Sequence, residues 1–567
     1  MTIIDLFKNI VDSYPEKPAI KSEHEGIFSY KELDLYSNYI ASKLLKSTLS
    51  HKIVGLSMNR SFSMIAAMIG VLKSGMAYVP IDPDYPEHRI NYMINNSSIS
   101  IIICSQEIYS SFKHINCKSI IIDEVFYSNE AINLSKEKDL AFVLYTSGST
   151  RLPNGVMISH QSIMNTLIWR INYYSLNHNS CNIQIPSFSS ASSLEDVFST
   201  LLCGGTLIII NTKDLMNVRY LKYLIIKYSV NHLLLVPTLY TELLPKLSDI
   251  NSLKMVVIAG EKASQRLIQM HFEYLPFVTL YIEYGMTETS VGCMIYHVKN
   301  PLSLVYLGNP INNMNYFISS DNYDTIGELL ISGVGLAEGY HNNIEATKEK
   351  FIYHNKVRYF KTGDFVKKYD DGNIEYIGRK DNQLKINGQR INLSEIDYVL
   401  QKDFNVENSI TVGASIDSRQ FIISFIKTKM SDDDYFFKLT RTFLPKYYIP
   451  DYFCLKSDFV YLPNKKINVK RMKEMFTEDL LIEKKNSSLE YKKVVEILKN
   501  VTHGKVLNPQ YDTDIRNMPI DSIGFIKFLA HLEEEFEFEF GYDDIDNFKV
   551  LSIDNLISFI LELKNNN

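Results

Sequence analysis

The segment Tyr145 to Val156, YTSGSTRLPNGV, gathers Gly, Ser and Thr into a loop whose backbone N–H groups and hydroxyls are left for a ligand. Convergent donors of that kind cradle phosphate oxygens. The string does not fit the Walker pattern, which needs Gly-Lys-Ser/Thr at its end. A strand-like run, Leu140 to Leu144 (LAFVL), leads into the loop, and a helix-like run leads out from His160. The chemistry implied is anion binding between a strand and a helix.

The elements that must position such a loop can be read from the rest of the chain. Its 567 residues are too many for one core, so two to four domains are expected. Over the first 380 residues, apolar β-rich runs (IVGLSM, SIIID, TLIIIN, HLLLVP, KMVVIAG) alternate with helical patterns. That alternation predicts a large α/β body with mainly parallel sheets. The N-terminus lacks a signal peptide's apolar core, and no stretch is apolar for the length a membrane helix requires. The six cysteines are scattered and never form a CxxC pair, which argues against a disulfide framework or zinc site and for the cytoplasm. A net charge of −6 argues against nucleic acid as a partner. That charge lies at one end: from Lys485 onward there are 9 Lys and Arg against 15 Asp and Glu, and the remainder is neutral. Leu489 to Val501 and Ile523 to Phe536 carry apolar groups at helical spacing. An acidic helical module behind the linker Glu483 to Ser488 is expected there.

The loop resembles the phosphate loop of the adenylate-forming enzymes, usually close to YTSGSTGxPKGV, with Arg151 in place of Gly and Asn154 in place of Lys. Other matches follow in order. FSYKEL (Phe28 to Leu33) and LKSGMAYVPID (Leu72 to Asp82) resemble the first two family signatures. YGMTE (Tyr284 to Glu288) resembles YGPTE, and FKTGD (Phe360 to Asp364) resembles YKTGD. GRKDNQLKINGQRINLSEI (Gly378 to Ile396), FLPKYYIP (Phe443 to Pro450) and LPNKKINVKRM (Leu462 to Met472) resemble the last three. The set resembles the adenylation domains of nonribosomal peptide synthetases more than the acyl-CoA ligases. It implies an N-terminal subdomain over residues 1–380, a small mobile α+β C-terminal subdomain over 381–480, and a helical-bundle carrier domain over 488–567.

The resemblance also implies roles. A carboxylate is a poor electrophile, and attack on the ATP α-phosphate converts it to an acyl-adenylate with a good leaving group. The site must gather two anions and neutralise charge as it shifts, which is positioning plus electrostatics. Thr146, Ser147, Gly148, Ser149 and Thr150 would take the triphosphate. Glu288 would hold Mg2+, since hard oxygen ligands suit that ion, with Thr287 beside the phosphates. Tyr284 would stack on adenine, Asp364 would accept both ribose hydroxyls, and Arg379 would lie close by. Ile282 stands where many relatives have an Asn contacting adenine. In Pro463-Asn464-Lys465-Lys466, Lys465 replaces the family's Gly and Lys466 aligns with the catalytic lysine. A solvated basic run with Lys470 and Arg471 is the plainer reading. Asp381 matches the hinge, and Lys385 to Gly388 would line the path of the incoming thiol.

Asn517 to Phe536 (NMPIDSIGFIKFLAHLEEEF) resembles the acyl and peptidyl carrier signature. Ser522 would then carry 4'-phosphopantetheine at a helix N-terminus, which favours its phosphate. A simple helix cap at Asp521-Ser522 is the plainer reading. Relatives that take α-amino acids hold the ammonium with an Asp; alignment puts Ala191 there. An unpaired ammonium would be costly, so a substrate without a standard α-amino group is expected. The same alignment lines the pocket with Ser192, Glu195, Leu234, Val257, Ala259, Glu283, Val291 and Gly292. Glu195 and Glu283 would hold an amine elsewhere on a β- or ω-amino acid; alternatively Glu195 faces away and is structural, and an aryl acid, including an aminobenzoate, is a further open substrate. With no HHxxxDG or GxSxG motif, the expectation is a free-standing loading module. It would be served by a phosphopantetheinyl transferase and hand its thioester to a condensation or other acyl-accepting protein. The alternatives are an acyl-CoA synthetase-like ligase and a degenerate scaffold, the latter suggested by Arg151 and Asn154.

Overall fold

The computed structural model describes the chain except residues 48–51, 113–116, 123, 147–152, 321–324, 380–382, 387–388, 404–405, 417–418, 429, 431–432, 457–458, 461–470, 473–475, 477–488, 503–517, 519, 521, 537–555 and 557–567. The chain divides into a larger unit that runs to Asp381 and a smaller one that takes up Ile391–Asn567.

The larger unit is built on four sheets. A seven-stranded sheet runs, in spatial order, Gly339–Tyr340, Asn154–Ser159, Leu140–Thr146, Ala77–Pro80, Ile53–Ser57, Ile101–Cys104, Lys118–Ile121. Its five strands from Leu140–Thr146 to Lys118–Ile121 are parallel, and the two beyond are antiparallel. A five-stranded sheet orders His232–Leu235, Met255–Ala259, Thr279–Met286, Val291–Val298 and Asn309–Pro310, the first three parallel and the rest antiparallel. A four-stranded sheet joins Gly26–Ser29, Pro18–Ser22, Thr206–Ile209 and Cys181–Gln184. Each apolar run singled out in the sequence forms one of these strands.

The fourth sheet departs from the expectation of mainly parallel pairing. Met314–Ser319, Ile326–Gly333, Val357–Lys368, Phe351–His354 and Ile374–Arg379 pair antiparallel throughout. The reason is connection length. Residues 355–356 and 369–373 are turns too short for the crossover that a parallel pair needs.

Two helices bring the candidate site to the sheets. His160–Tyr173 starts at a reciprocal cap: Ser159 Oγ accepts from the Ser162 N–H at 3.3 Å, and the Ser159 N–H donates to Ser162 Oγ at 3.2 Å. It stops where Ser175 turns left-handed, at φ 53°. Its Ile163 and Leu167 share a core with Leu194, Val197, Phe198 and Leu201 of the helix Ala191–Leu202. Each such fully buried aliphatic side chain contributes roughly 1.5–3 kcal/mol by leaving water.

In the smaller unit, Asn408–Ile416, Arg419–Lys427 and Tyr452–Lys456 form a three-stranded sheet. The helices Leu393–Leu400 and Asp433–Phe443 share a core with it through Ile396, Leu400, Phe436, Ile422 and Phe453. Of the expected carrier span, the helices Leu489–Val501 and Ser522–Phe536 are described, and they pack on each other through Val494, Leu498, Phe528 and Leu532. Among the described residues, no helix is long and apolar enough to cross a membrane.

Candidate functional site

Tyr284 and Glu288 are set by the end of one strand and the turn after it. Thr279–Met286 runs into a single 3-10 turn, Thr287–Thr289, and the chain returns as Val291–Val298. The return is sharp. Ser290 and Val291 both have positive φ, 52° and 80°, which is strained for a β-branched residue. The strain is held by contacts on both sides: Thr289 Oγ1 lies 2.9 Å from the Val291 carbonyl, and Thr166 Oγ1 donates to the Ser290 carbonyl at 3.1 Å. Residue 285 has to be glycine, because a Cβ there would lie 1.8 Å from the Val291 carbonyl oxygen. The turn buries Glu288, whose Oε1 accepts from the Tyr340 hydroxyl at 2.9 Å. One oriented, buried carboxylate fits Mg2+, which is bound through one or two carboxylates with substrate phosphates and water supplying the rest.

Asp364 sits in Val357–Lys368 just past a shift in register with the neighbouring strand, an irregularity that re-aims side chains. It lies opposite Arg379 of the next strand. Arg379 Nη1 is 2.6 Å from Asp364 Oδ1, and its Nη2 donates to the Thr362 carbonyl at 3.1 Å. The Tyr284 hydroxyl donates to Asp364 Oδ2 at 2.5 Å. Tyr284, Asp364 and Arg379, read from three separate motifs, are thus one hydrogen-bonded group. Burial, with Asp364 adding to it, raises the Tyr284 phenol well above its ordinary range, so it stays a donor. Each carboxylate oxygen has a second lone pair, so Asp364 can still accept from a diol.

Thr146 ends the strand Leu140–Thr146, paired with Asn154. Its hydroxyl is buried and, among the described residues, has no hydrogen-bond partner. Ser147, Gly148, Ser149, Thr150 and Arg151 lie outside the described residues, as do Asp381 and Lys466. Asn154, at the position of the family's lysine, is buried, and its Oδ1 accepts from the Asn343 side chain at 2.9 Å. Ser522 is the first residue of its helix.

The expected pocket residues are brought together by register. Leu234 pairs with Val257, and Ala259 pairs with Glu283. Val257 and Ala259 are two apart on one strand, so these four share one face of the sheet. Gly292 and Val291 pair with Gly285 and Met286 on the adjoining strand. Ala191 and Ser192 begin the helix Ala191–Leu202, and Glu195 is buried one turn further on.

Two residues that the sequence reading missed occupy the centre of this group. Nη1 of the buried Arg170 bonds Glu283 Oε1 and lies 3.6 Å from Glu195 Oε2. The Tyr174 hydroxyl donates to the same Glu283 oxygen at 2.5 Å. The Gly292 N–H donates to Glu195 Oε1 at 2.9 Å. Glu195 and Glu283 therefore do not stand open as two free carboxylates; they share one guanidinium. Burial, then the charge of Glu283, pushes Glu195 up to about 8. Burial opposes the Arg170 charge, but Glu283 and Glu195 outweigh it and raise its pKa. The available signal was periodicity. Ile163, Thr166, Leu167, Arg170 and Tyr174 fall on one helical face, so the arginine stands in an otherwise inward-facing row.

Comparison with known proteins gives three results. The family model described as AMP-binding enzyme matches residues 7–341. Bacitracin synthase 3 of Bacillus licheniformis is 37% identical over 488 residues, covering 83% of this chain and 8% of that protein. Tyrocidine synthase 1 of Brevibacillus parabrevis is 31% identical over 493 residues, covering 83% of this chain and 45% of that protein. The chain thus spans less than half the length of either relative. Among solved structures, an artificially fused adenylation–PCP di-domain nonribosomal peptide synthetase from Klebsiella oxytoca superposes with TM-score 0.71 at 23% identity, covering 80% of this chain and 93% of that one. A double mutant of o-succinylbenzoate CoA synthetase from Bacillus subtilis gives TM-score 0.74 at 19% identity, covering 83% and 98%. Both share the fold.

Proposed function

This chain belongs to the AMP-binding enzymes and is an adenylate-forming ligase, and we propose that it activates a carboxylic acid with ATP and loads it onto its own Ser522-borne phosphopantetheine. The observation that carries the reading is the bonding of Asp364 to both Tyr284 and Arg379, with the Glu288 turn directly following Tyr284. These groups suit the ribose and the metal-bound phosphates of one nucleotide.

In the first step a carboxylate oxygen attacks the α-phosphorus, the bond to the β-phosphate oxygen breaks, and pyrophosphate leaves. Asp364 fixes the ribose, Glu288 would hold Mg2+, which when bound would neutralise phosphate charge, and Lys466 supplies a cation at the α-phosphate. For the second step Ser522 would hold the phosphopantetheine, whose thiol would supply the nucleophile for the acyl carbon, with AMP as the leaving group. We assign residues 1–380 and 381–480 to the two adenylation subdomains, with Asp381 as their hinge, and 488–567 to the carrier. A phosphopantetheinyl transferase and an acyl-accepting protein are the partners, in the cytoplasm. Ala191 supports a substrate without a standard α-amino group, a β- or ω-amino acid or an aryl acid.

The test is pyrophosphate exchange over a panel of α-, β- and ω-amino acids and aryl acids. It is paired with the intact mass of the chain after incubation with a transferase and coenzyme A. Exchange with at least one acid and a phosphopantetheine mass gain lost in Ser522→Ala are expected. Absence of exchange with every acid would overturn the activation. Thioester formed on free coenzyme A but never on the chain would replace the carrier by an acyl-CoA product.

A further inference from the structure

The buried cluster of Arg170, Glu195 and Glu283 holds one more acid than base. The nearest further acid, Asp196, accepts from the Asn182 side chain and, at 3.4 Å, from the Ile185 N–H. Of the neighbouring bases, Arg60 donates to the carbonyls of Gln184, Ile185 and Pro186 and to the Gln184 side chain, and the buried His232 is kept neutral, pushed down to about 3 by burial and then by the Arg170 charge. Neither base brings a positive charge that pairs with the carboxylates of the cluster, and Asp196 adds to its acid side. Within it, Glu283 Oε1 takes both the guanidinium and the Tyr174 hydroxyl, while Glu283 Oε2 is buried and has no hydrogen-bond partner among the described residues. Buried carboxylate oxygens are normally paired, and an exception calls for an explanation. Glycine at 292 keeps a side chain off that oxygen. A Cβ there would lie 2.8 Å from Glu195 Oε1 and 3.3 Å from Glu283 Oε2, so the two carboxylates converge on the space over Gly292.

We infer that Glu283 Oε2 receives a cationic amine at the end of the substrate remote from its carboxylate, and that Arg170 is a specificity-determining residue that neutralises one of the two carboxylates so that one cation is wanted and not two. This rests on the activation reading above and narrows it. The substrate class is an aliphatic β- or ω-amino acid. Aminobenzoates are disfavoured, because an aniline nitrogen is uncharged near neutral pH. An α-ammonium would sit near Ala191, which offers it no partner.

The experiment is pyrophosphate exchange with the full chain, comparing each amino acid with the acid in which a methyl replaces its terminal ammonium. The pairs are β-alanine with butyrate, 4-aminobutyrate with valerate, and 5-aminovalerate with hexanoate. The best amino acid should exceed its partner in kcat/KM by about a hundredfold or more, since a site built to bond a polar group rejects the analogue lacking it. Glu283→Gln should cut that ratio at least tenfold, chiefly through KM. Arg170→Lys, which keeps the charge, should retain the preference. Equal or better exchange with the neutral acids, aryl acids or α-amino acids would overturn the inference and leave the activation intact. Exchange with none overturns both. If Glu283→Gln fails to fold, the wild-type ratio decides alone; if it folds and leaves the ratio unchanged, Glu283 is not the acceptor.

Discussion

Replacing Arg170 by Met strands two buried carboxylates, and the size of the effect can be worked out. The guanidinium bonds Glu283 directly and lies 3.6 Å from Glu195, with all three side chains at most 3% exposed. Removing one partner of a buried ionic group costs roughly 3–5 kcal/mol, because the remaining charge is left without compensation. For a unit that runs to Asp381, the unfolding entropy of about 2.1 cal/mol/K per residue converts this to a fall in Tm of about 5 °C. The pH dependence has a definite sign. With no cation bound beside the two carboxylates, the folded state keeps a proton on Glu195 that the unfolded chain releases, between the ordinary value of 4.5 and about 8. Stability from this group therefore falls as pH rises through that window. Without Arg170 the carboxylates are harder still to ionise, so the deficit should be largest near pH 8.5 and shrink toward pH 5.5. Calorimetry of wild type and variant across that range measures it. The triple variant Arg170→Met, Glu195→Met, Glu283→Leu should recover most of the loss, since an apolar set of similar volume is often as stable as the ions it replaces. A deficit below about 1 °C, or one of equal size at both ends of the pH range, would refute the reasoning and leave only lost packing.

Three further outcomes are expected. Asp364→Asn removes the charge that Arg379 and Tyr284 converge on; bonds to charged groups contribute about 1.5–3 kcal/mol, so the KM for ATP in pyrophosphate exchange should rise roughly 10- to 100-fold, and a change under twofold would remove Asp364 from the nucleotide site. Tyr340→Phe deletes the hydroxyl that orients Glu288; at about 1 kcal/mol for a neutral donor, the Mg2+ concentration giving half-maximal exchange should rise a few-fold, and an unchanged midpoint would make the contact merely structural. Lys466→Ala should abolish exchange while leaving ATP binding by calorimetry in place, and exchange within about tenfold of wild type would sink its assignment.

Much of this was legible before any fold was known. The strand from Leu140, the helix from His160 and the later helices Leu489–Val501 and Ser522–Phe536, the last expected from Ile523, follow from apolar spacing, which is a local property of a chain. The candidate nucleotide-site residues Glu288, Asp364 and Arg379 were legible because they sit in short contiguous motifs. The antiparallel sheet from Met314 to Arg379 was not, because strand direction depends on which turns close between neighbours.

The sequence by itself determined the element order, the reaction class and the candidate carboxylates. Tertiary structure decided which of those carboxylates share a charge. Arg170 and Glu283 are 113 residues apart and meet only because a helix packs over a particular strand register. Their balance of charge is a property of burial in one low-dielectric place, and no local pattern along the chain encodes it.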